Sequence, residues 1–290
     1  MADPRDKELE RSPQARRLAE RALVALLNEL EGEGPEIVVL GGLVPEILVS
    51  GQDPPAPDHL GTTDVDILLV SHLTVDENMG GVERALQAIG FESSGEGKGW
   101  RWRGRVDGRA VKMEFLCDLD DRREEEVVEV AGAGTLVALN LRGTRYVAQD
   151  WEWETLRAPL PDGSMAEVQA RFARLGGYLL SKVTAARTRA AVKDFYDLAY
   201  VLLHNRAGGP EMAAAAVLEG GFEGEIASLR STFAEVGERY RSPTSVGPEG
   251  YAAQSLIVDP GLDERTLRLD AVSAVVEFLQ ALLAKADTNA

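Results

Sequence analysis

Apolar positions near the start of the chain recur at helical spacing (Leu9, Leu18, Ala22, Leu23, Leu26, Leu27, Leu30), predicting a helix from about Lys7 to Glu31 that stops at Gly32 and Gly34. A short apolar run, Ile37 to Leu40, then meets Gly41-Gly42, and Val44 to Val49 reads as a helix opening with Pro45 in its first turn. Ser50 to Thr63, rich in proline and glycine, forms a loop that returns to a second apolar run, Val65 to Val70. Gly80 to Ile89 reads as a helix. Phe91 to Glu92, Gly99 to Val106 and Ala110 to Asp118 read as strands separated by glycine-containing turns, with further short strands at Thr135 to Leu141 and Tyr146 to Ala148. Beyond Pro159, Pro161, Asp162 and Gly163 the spacing turns helical, over 165–192, 193–206, 210–218, 223–240 and 264–285. The pattern predicts an α+β protein: a mixed-sheet core over 1–158 and a helical domain over 159–290, with no internal repeat.

Length and charge narrow this picture. A chain of 290 residues with 44% hydrophobic content has enough material for two packed domains. Its 48 acidic and 31 basic side chains leave a net charge of −17, so the average surface repels phosphate and anionic lipid. A nucleotide or nucleic acid must therefore be held by a local basic cluster or through metal ions. Cys117 is the sole cysteine, which rules out an intrachain disulfide and suits a reducing compartment. The opening residues are charged where a signal peptide needs an apolar core, and no apolar run approaches a membrane span, so a cytoplasmic protein is expected.

The chemistry concentrates around Val39-Leu40-Gly41-Gly42 and Thr63-Asp64-Val65-Asp66-Ile67. Alternation along a strand puts Asp64 and Asp66 on one face, about 7 Å apart. Such a pair suits Mg²⁺, which takes one or two carboxylates and completes its shell with water and substrate phosphates. Gly41-Gly42 at a strand-to-helix turn lets backbone N–H groups approach a phosphate. A third carboxylate is expected on a neighbouring strand. In Val111 to Asp118, the residues Val111, Met113, Phe115 and Cys117 share one face, leaving Lys112, Glu114 and Asp118 on the other; Glu114 is the candidate and Asp118 the reserve.

A second constellation runs from Lys182 to Leu198. On one continuous helix Lys182, Arg189, Lys193 and Asp197 fall within about 80° of one another. They would make a cationic stripe suited to β and γ phosphates, oriented by Asp194 and Asp197. The bland alternative is a surface face laced with i,i+4 charge pairs such as Lys193 with Asp197.

Gly41-Gly42, Asp64-x-Asp66 and Lys182-x-x-Ala185-x-x-x-Arg189-x-x-x-Lys193-Asp194-x-x-Asp197-Leu198 together resemble the AbiEii-type nucleotidyltransferase toxins and the related MenT-type toxins. The likeness runs in order from about 37 to 205. It implies a DNA polymerase β-like nucleotidyltransferase core followed by a helical domain, using Mg²⁺ and an NTP. By the same resemblance Gly41 and Gly42 contact the triphosphate, Asp64 and Asp66 hold the metals, Lys182 binds phosphate and Asp194 completes the site, with Arg189, Lys193 and Asp197 at supporting positions. Read from the residues themselves, Glu114 joins Asp64 and Asp66 as the third metal ligand, Thr63 joins the nucleotide-binding set of Gly41, Gly42, Lys182, Arg189 and Lys193, and the expected catalytic group is Asp64, Asp66, Glu114, Lys182 and Asp194. The implied product is NMP on an acceptor, a tRNA 3′ end ahead of a protein hydroxyl, with growth arrest relieved by a partner antitoxin. One position departs: the family commonly carries Arg four residues before the first metal Asp, and here stands Leu60, with no Lys or Arg between Gly42 and Asp64.

Lys98 to Arg105, with Arg109 and Lys112, forms a basic and aromatic hairpin suited to RNA phosphates and bases, or to arginine stems packed on aromatics. His59, His72 and His204 are scattered without metal-ligand spacing and suit loop or surface roles. Gly95-Glu96-Gly97-Lys98-Gly99 lacks the ending and the following helix of a P-loop. Two alternatives stand beside the toxin reading: an aminoglycoside-type small-molecule nucleotidyltransferase, and a non-catalytic nucleotide-binding module or antitoxin.

Overall fold

The computed structural model describes residues 11–30, 36–70, 79–94 and 98–288. His72 and Gly95 to Gly97 lie outside them. The chain divides into two compact units, one of residues 1–44 and 61–173, the other of 45–60 and 174–290. The boundary expected at 158/159 falls inside a strand; the units part after Ala173.

The first unit is built on one nine-stranded sheet: β1 (Ile37–Leu40), β2 (Asp64–Leu69), β3 (Glu92–Ser93), β4 (Arg101–Val106), β5 (Arg109–Cys117), β6 (Val127–Glu129), β7 (Val137–Asn140), β8 (Trp151–Pro159) and β9 (Met165–Ala173). Its order is β3-β4-β5-β2-β1-β9-β8, with β7 beside the end of β5 and β6 beside β7. Strands β2 and β5 run parallel, while β1 and β4 run antiparallel to their neighbours β2 and β5. Helix α1 (Pro13–Glu29) packs across β9, β8 and β2 through Leu18, Ala22 and Leu26. Ser12 caps it by accepting the Ala15 N–H at 3.1 Å. The Gly41–Leu43 turn follows β1, α3 is Met79–Ala88 and α4 is Arg145–Gln149; α2 (Val44–Val49), which follows that turn in the chain, belongs to the second unit from Pro45 onward.

The second unit is helical: α5 (Leu175–Thr188), α6 (Val192–His204), α7 (Pro210–Glu219), α8 (Glu223–Ser228), α9 (Arg230–Arg239), α10 (Val246–Val258) and α11 (Glu264–Thr288). Helix α6 packs on α10, α11 and α5 around buried Phe195, Tyr196, Phe222, Phe233, Tyr240 and Phe278.

Three expectations are corrected. Met165 to Ala173, expected as the start of a helix, is strand β9. Its residues favour helix, but Ala166, Ala170 and Phe172 are buried at even positions, and pairing with β8 and β1 overrides propensity. Tyr146 to Ala148, expected as strand, is helical, because the Asp118 carboxylate accepts the N–H groups of Gly143 and Arg145 and caps α4. The helix supporting the Lys182 stripe is broken: α5 ends at Thr188 and α6 begins at Val192, with Ala190 between them at φ +52°.

Candidate active site

The parallel register of β2 and β5 sets Asp64 beside Lys112 and Asp66 beside Glu114. Residues in register share a face, so all three carboxylates project from the same side of the sheet. One oxygen from each of Asp64, Asp66 and Glu114 lies within 4.8 Å of the others. All three side chains are half-buried, beneath neither full solvent nor a closed core. Their opposite-facing neighbours Val65, Ile67, Met113 and Phe115 are fully buried and fix the strands that carry them.

Two side chains orient the cluster. The Thr62 hydroxyl donates to Asp64 Oδ1 at 2.5 Å, and Arg101 Nε donates to Glu114 Oε1 at 2.7 Å. Arg101 stands directly opposite Glu114 across β4 and β5 and lies over the Trp100 ring at 4.4 Å. Neither Thr62 nor Arg101 was legible as a supporting residue, since Arg101 depends on a cross-strand register and Thr62 on a local turn that the sequence does not specify. Gly41 sits at φ +72°, and a Cβ there would stand 1.8 Å from Asp66 Oδ2. A Cβ on Gly42 would meet the Thr62 side chain at 2.5 Å. Both glycines are thus required by the close approach of the β1 turn to the acidic cluster, and Thr63 stands half-buried beside it.

The donor set fits Mg²⁺. The donors are hard carboxylate oxygens, and a metal binding at about 2.0–2.1 Å draws ligand oxygens to within about 4 Å of one another, which small rotations from the observed spread achieve. Asp118 takes no part in the cluster, being committed to the start of α4 and to Arg142 at 3.2 Å. Nor does Cys117 offer a nucleophile: it is buried, and burial and the neighbouring Asp118 push its thiol up to about 12.

The helical unit holds the rest of the expected set. Because the chain turns between α5 and α6, Lys182 Nζ donates to Asp197 Oδ2 at 2.7 Å and reaches Asp194 Oδ1 at 3.4 Å. Arg189 donates to Asp194 Oδ1 at 3.0 Å. Asp194 and Asp197 are fully buried, Lys182 is 6% exposed, and Lys193 is half-buried on α6. Lys182, Asp194 and Asp197 form a buried ion cluster, with the exposed Arg189 guanidinium reaching it from the edge, instead of an exposed cationic stripe. Asp194 Oδ2 is buried and has no hydrogen-bond partner among the described residues. Tyr240, whose hydroxyl donates to the Phe195 carbonyl at 2.7 Å, is held well above the ordinary phenol range by burial and by these two aspartates.

His59 takes the loop role expected of it, in the segment before β2, but it is buried and not at the surface. It is 1% exposed, its Nε2 lies 3.1 Å from Asp197 Oδ1, and its ring stacks on Tyr196. Leu60 is buried, and its N–H donates to the Tyr196 hydroxyl at 3.0 Å. The position where the resembled family carries Arg is thus an apolar anchor of the 45–60 segment.

No protein-family model and no curated protein matches the chain. Among solved structures the chain is similar to a STING-associated CdnE c-di-GMP synthase from Capnocytophaga granulosa, at 13% identity over 96% of this chain and 84% of that one, with a TM-score of 0.30. So loose an overlap assigns neither substrate nor activity. What stands on the geometry alone is an α+β chain with a three-carboxylate cluster beside a glycine turn on its sheet. Among the described residues no helix is long and apolar enough to cross a membrane.

Proposed function

We propose that the protein is a Mg²⁺-dependent nucleotidyltransferase, moving NMP from an NTP to an acceptor hydroxyl and releasing pyrophosphate. The observation that carries the reading is the convergence of Asp64, Asp66 and Glu114 within 4.8 Å beside the Gly41 turn. Bound by these carboxylates, Mg²⁺ would offset phosphate charge and favour ionisation of the acceptor hydroxyl. Thr62 holds Asp64 and Arg101 holds Glu114 in the positions the reaction needs, and Gly41 leaves the space that Asp66 and a phosphate share. In the transfer, the acceptor oxygen bonds to the α phosphorus as the bond to the β-phosphate oxygen breaks. The hydroxyl proton passes to Glu114 or to water.

The sequence resemblance extends the proposal to a growth-arresting toxin that modifies a tRNA 3′ end and is restrained by an antitoxin protein. One observation favours a competing reading, a nucleotide-binding module without turnover: Lys182 is already neutralised by Asp194 and Asp197. Incubation with each α-³²P-labelled NTP, Mg²⁺ and total tRNA or cell lysate separates the two. Label on RNA or protein that disappears in Asp64→Ala and Asp66→Ala supports transfer. Nucleotide binding by a folded protein with no labelled acceptor supports the module.

A further inference from the structure

Strand β8 ends the order of the sheet, so among the described residues no strand lies on its outer side. At nine residues it is long for an edge, and a long edge is a template for pairing with another chain. The turn that follows fixes which backbone groups face outward. The Leu160 N–H donates to the Ser164 carbonyl at 2.8 Å, which makes these two a hydrogen-bonded pair at the end of the β8–β9 ladder. Bonded and non-bonded pairs alternate along an antiparallel ladder. Glu152, Glu154, Leu156 and Ala158 therefore bond to β9, whereas Trp151, Trp153, Thr155 and Arg157 turn their N–H and C=O groups outward. Pro159, the one residue of β8 without an N–H, falls in the outward set, where the ladder asks no donor of it.

The side chains of that set are held in place before any partner arrives. Trp151 and Trp153 meet edge-on at 5.5 Å, and the Arg171 guanidinium of β9 lies over both rings, at 4.5 and 5.1 Å. Arg171 is ion-paired with Glu36 at 3.1 Å, which offsets its charge. Trp153 nonetheless stays 56% exposed, and Thr155, Arg157 and Pro159 are exposed with it.

The sequence of β8 is complementary to itself. Laid antiparallel on a second copy about a two-fold axis at Thr155, Trp153 stands opposite Arg157 and Trp151 opposite Pro159. On the reverse face Glu154 meets Leu156 and Glu152 meets Ala158, so no like charges oppose each other. Other registers fit less well. With the axis at Glu154, that carboxylate meets itself; with the axis at Leu156, Trp151 and Glu152 run past the end of the partner strand. At the far end of the sheet stands β3, only two residues long, so the contact closes at two copies.

We propose that the protein forms a two-fold dimer by antiparallel pairing of β8 with β8 of a second copy, Trp153 of each taking the Arg157 guanidinium of the other. The inference is independent of the nucleotidyltransferase reading. Leu40 pairs with Asp66 and Val39 with Phe172, so Arg171 and the two tryptophans lie on the face of the sheet that bears Asp66. The dimer accordingly carries both acidic clusters on one side of a continuous sheet.

The test is sedimentation equilibrium of the full chain across micromolar concentrations at about 0.15 M salt, where repulsion between two copies of net charge −17 is screened beyond about 8 Å. Wild type is expected to pass from monomer to dimer as concentration rises. Thr155→Pro removes no bond of the β8–β9 ladder but deletes the bonds at the axis, and should weaken association at least about tenfold. Thr155→Lys sets two ammonium groups against each other at the axis and should do likewise with an unchanged melting curve, which keeps the test open where the proline variant fails to fold. A nitroxide on Thr155→Cys reads the register, because Cys117 is buried and the label goes to position 155. Dipolar broadening that unlabelled protein dilutes away is expected there, and not on Ser164→Cys in the turn. Wild type that stays monomeric at every concentration, leaving the edge to a strand of another protein, overturns the dimer. So does association of wild-type strength in folded Thr155→Pro and Thr155→Lys, or a Thr155→Cys spectrum as sharp as that of Ser164→Cys.

Discussion

Gly41 couples backbone conformation to the placement of a carboxylate. Its φ of +72° is strained for any L side chain, and the space where a Cβ would stand is filled by Asp66 Oδ2. In Gly41→Ala the methyl group must displace the Asp66 carboxylate, which also faces Glu114 across the β2–β5 register. The expected result is loss of Mg²⁺-dependent transfer comparable with Asp66→Ala, at least about a hundredfold. Backbone strain would cost only about 1–2 kcal/mol of stability. Radiolabel transfer and a melting curve on the same preparation check both halves. A fully active Gly41→Ala would show that the turn does not govern the cluster. Leu60 shows the converse at residue scale: an arginine introduced there enters a buried position whose N–H is already committed to Tyr196, so adopting the residue of the resembled family is no repair.

At the scale of elements, the break between α5 and α6 decides what the Lys182 constellation is. A continuous helix would have lined up Lys182, Arg189 and Lys193; the turn at Ala190 instead folds Asp194 and Asp197 onto Lys182 and buries all three. Lys182→Met removes the cation shared by two buried carboxylates, and a cost of about 3 kcal/mol is expected, read as a lower denaturation midpoint. Asp194 keeps Arg189 and Asp197 keeps His59, so the unit should still fold.

The sequence made the acidic cluster legible because alternation alone puts Asp64 with Asp66, and Glu114 opposite Val111, Met113 and Phe115. It could not reveal Arg101 or Thr62, whose roles arise from register and from a turn. Nor could it reveal β9, whose three alanines, with Met165, Glu167, Gln169 and Arg171, favour the helix that pairing with β8 forbids. Helix α10 escaped the periodic pattern because Gly247, Pro248 and Gly250 stand in its first turns, where proline is tolerated and Gly247 lets the Tyr240 ring approach.

For the molecule as a whole, acid acts in two opposing ways. Lowering the pH from neutrality reduces the net charge of −17 and relieves self-repulsion. In the helical unit His204 works against this. It packs edge-on to Tyr200, its Nε2 lies 3.4 Å from the Tyr251 hydroxyl, and burial lowers its pKa from 6.5 to about 4. Above pH 6.5 the imidazole is neutral both folded and unfolded and contributes nothing to pH dependence. Between 6.5 and 4 the unfolded chain binds a proton that the folded one refuses, so stability falls as pH falls, by about 3 kcal/mol once pH 4 is reached. Glu83, in the sheet unit, responds later. Burial raises its pKa, but hydrogen bonds from Thr135, Gly134 and Leu136 more than offset this and hold it below the ordinary carboxylate range. Its contribution is therefore present above the unfolded carboxyl pKa and is lost only as pH drops through the lower folded value. The helical unit should accordingly soften first on acidification. Calorimetric melts of wild type and His204→Gln at pH 7 and near pH 4.5 check this: the substitution removes the proton that drives the loss, so the two proteins should diverge at the lower pH, with wild type losing more. Parallel stability curves across that window would show that His204 takes up its proton without unfolding.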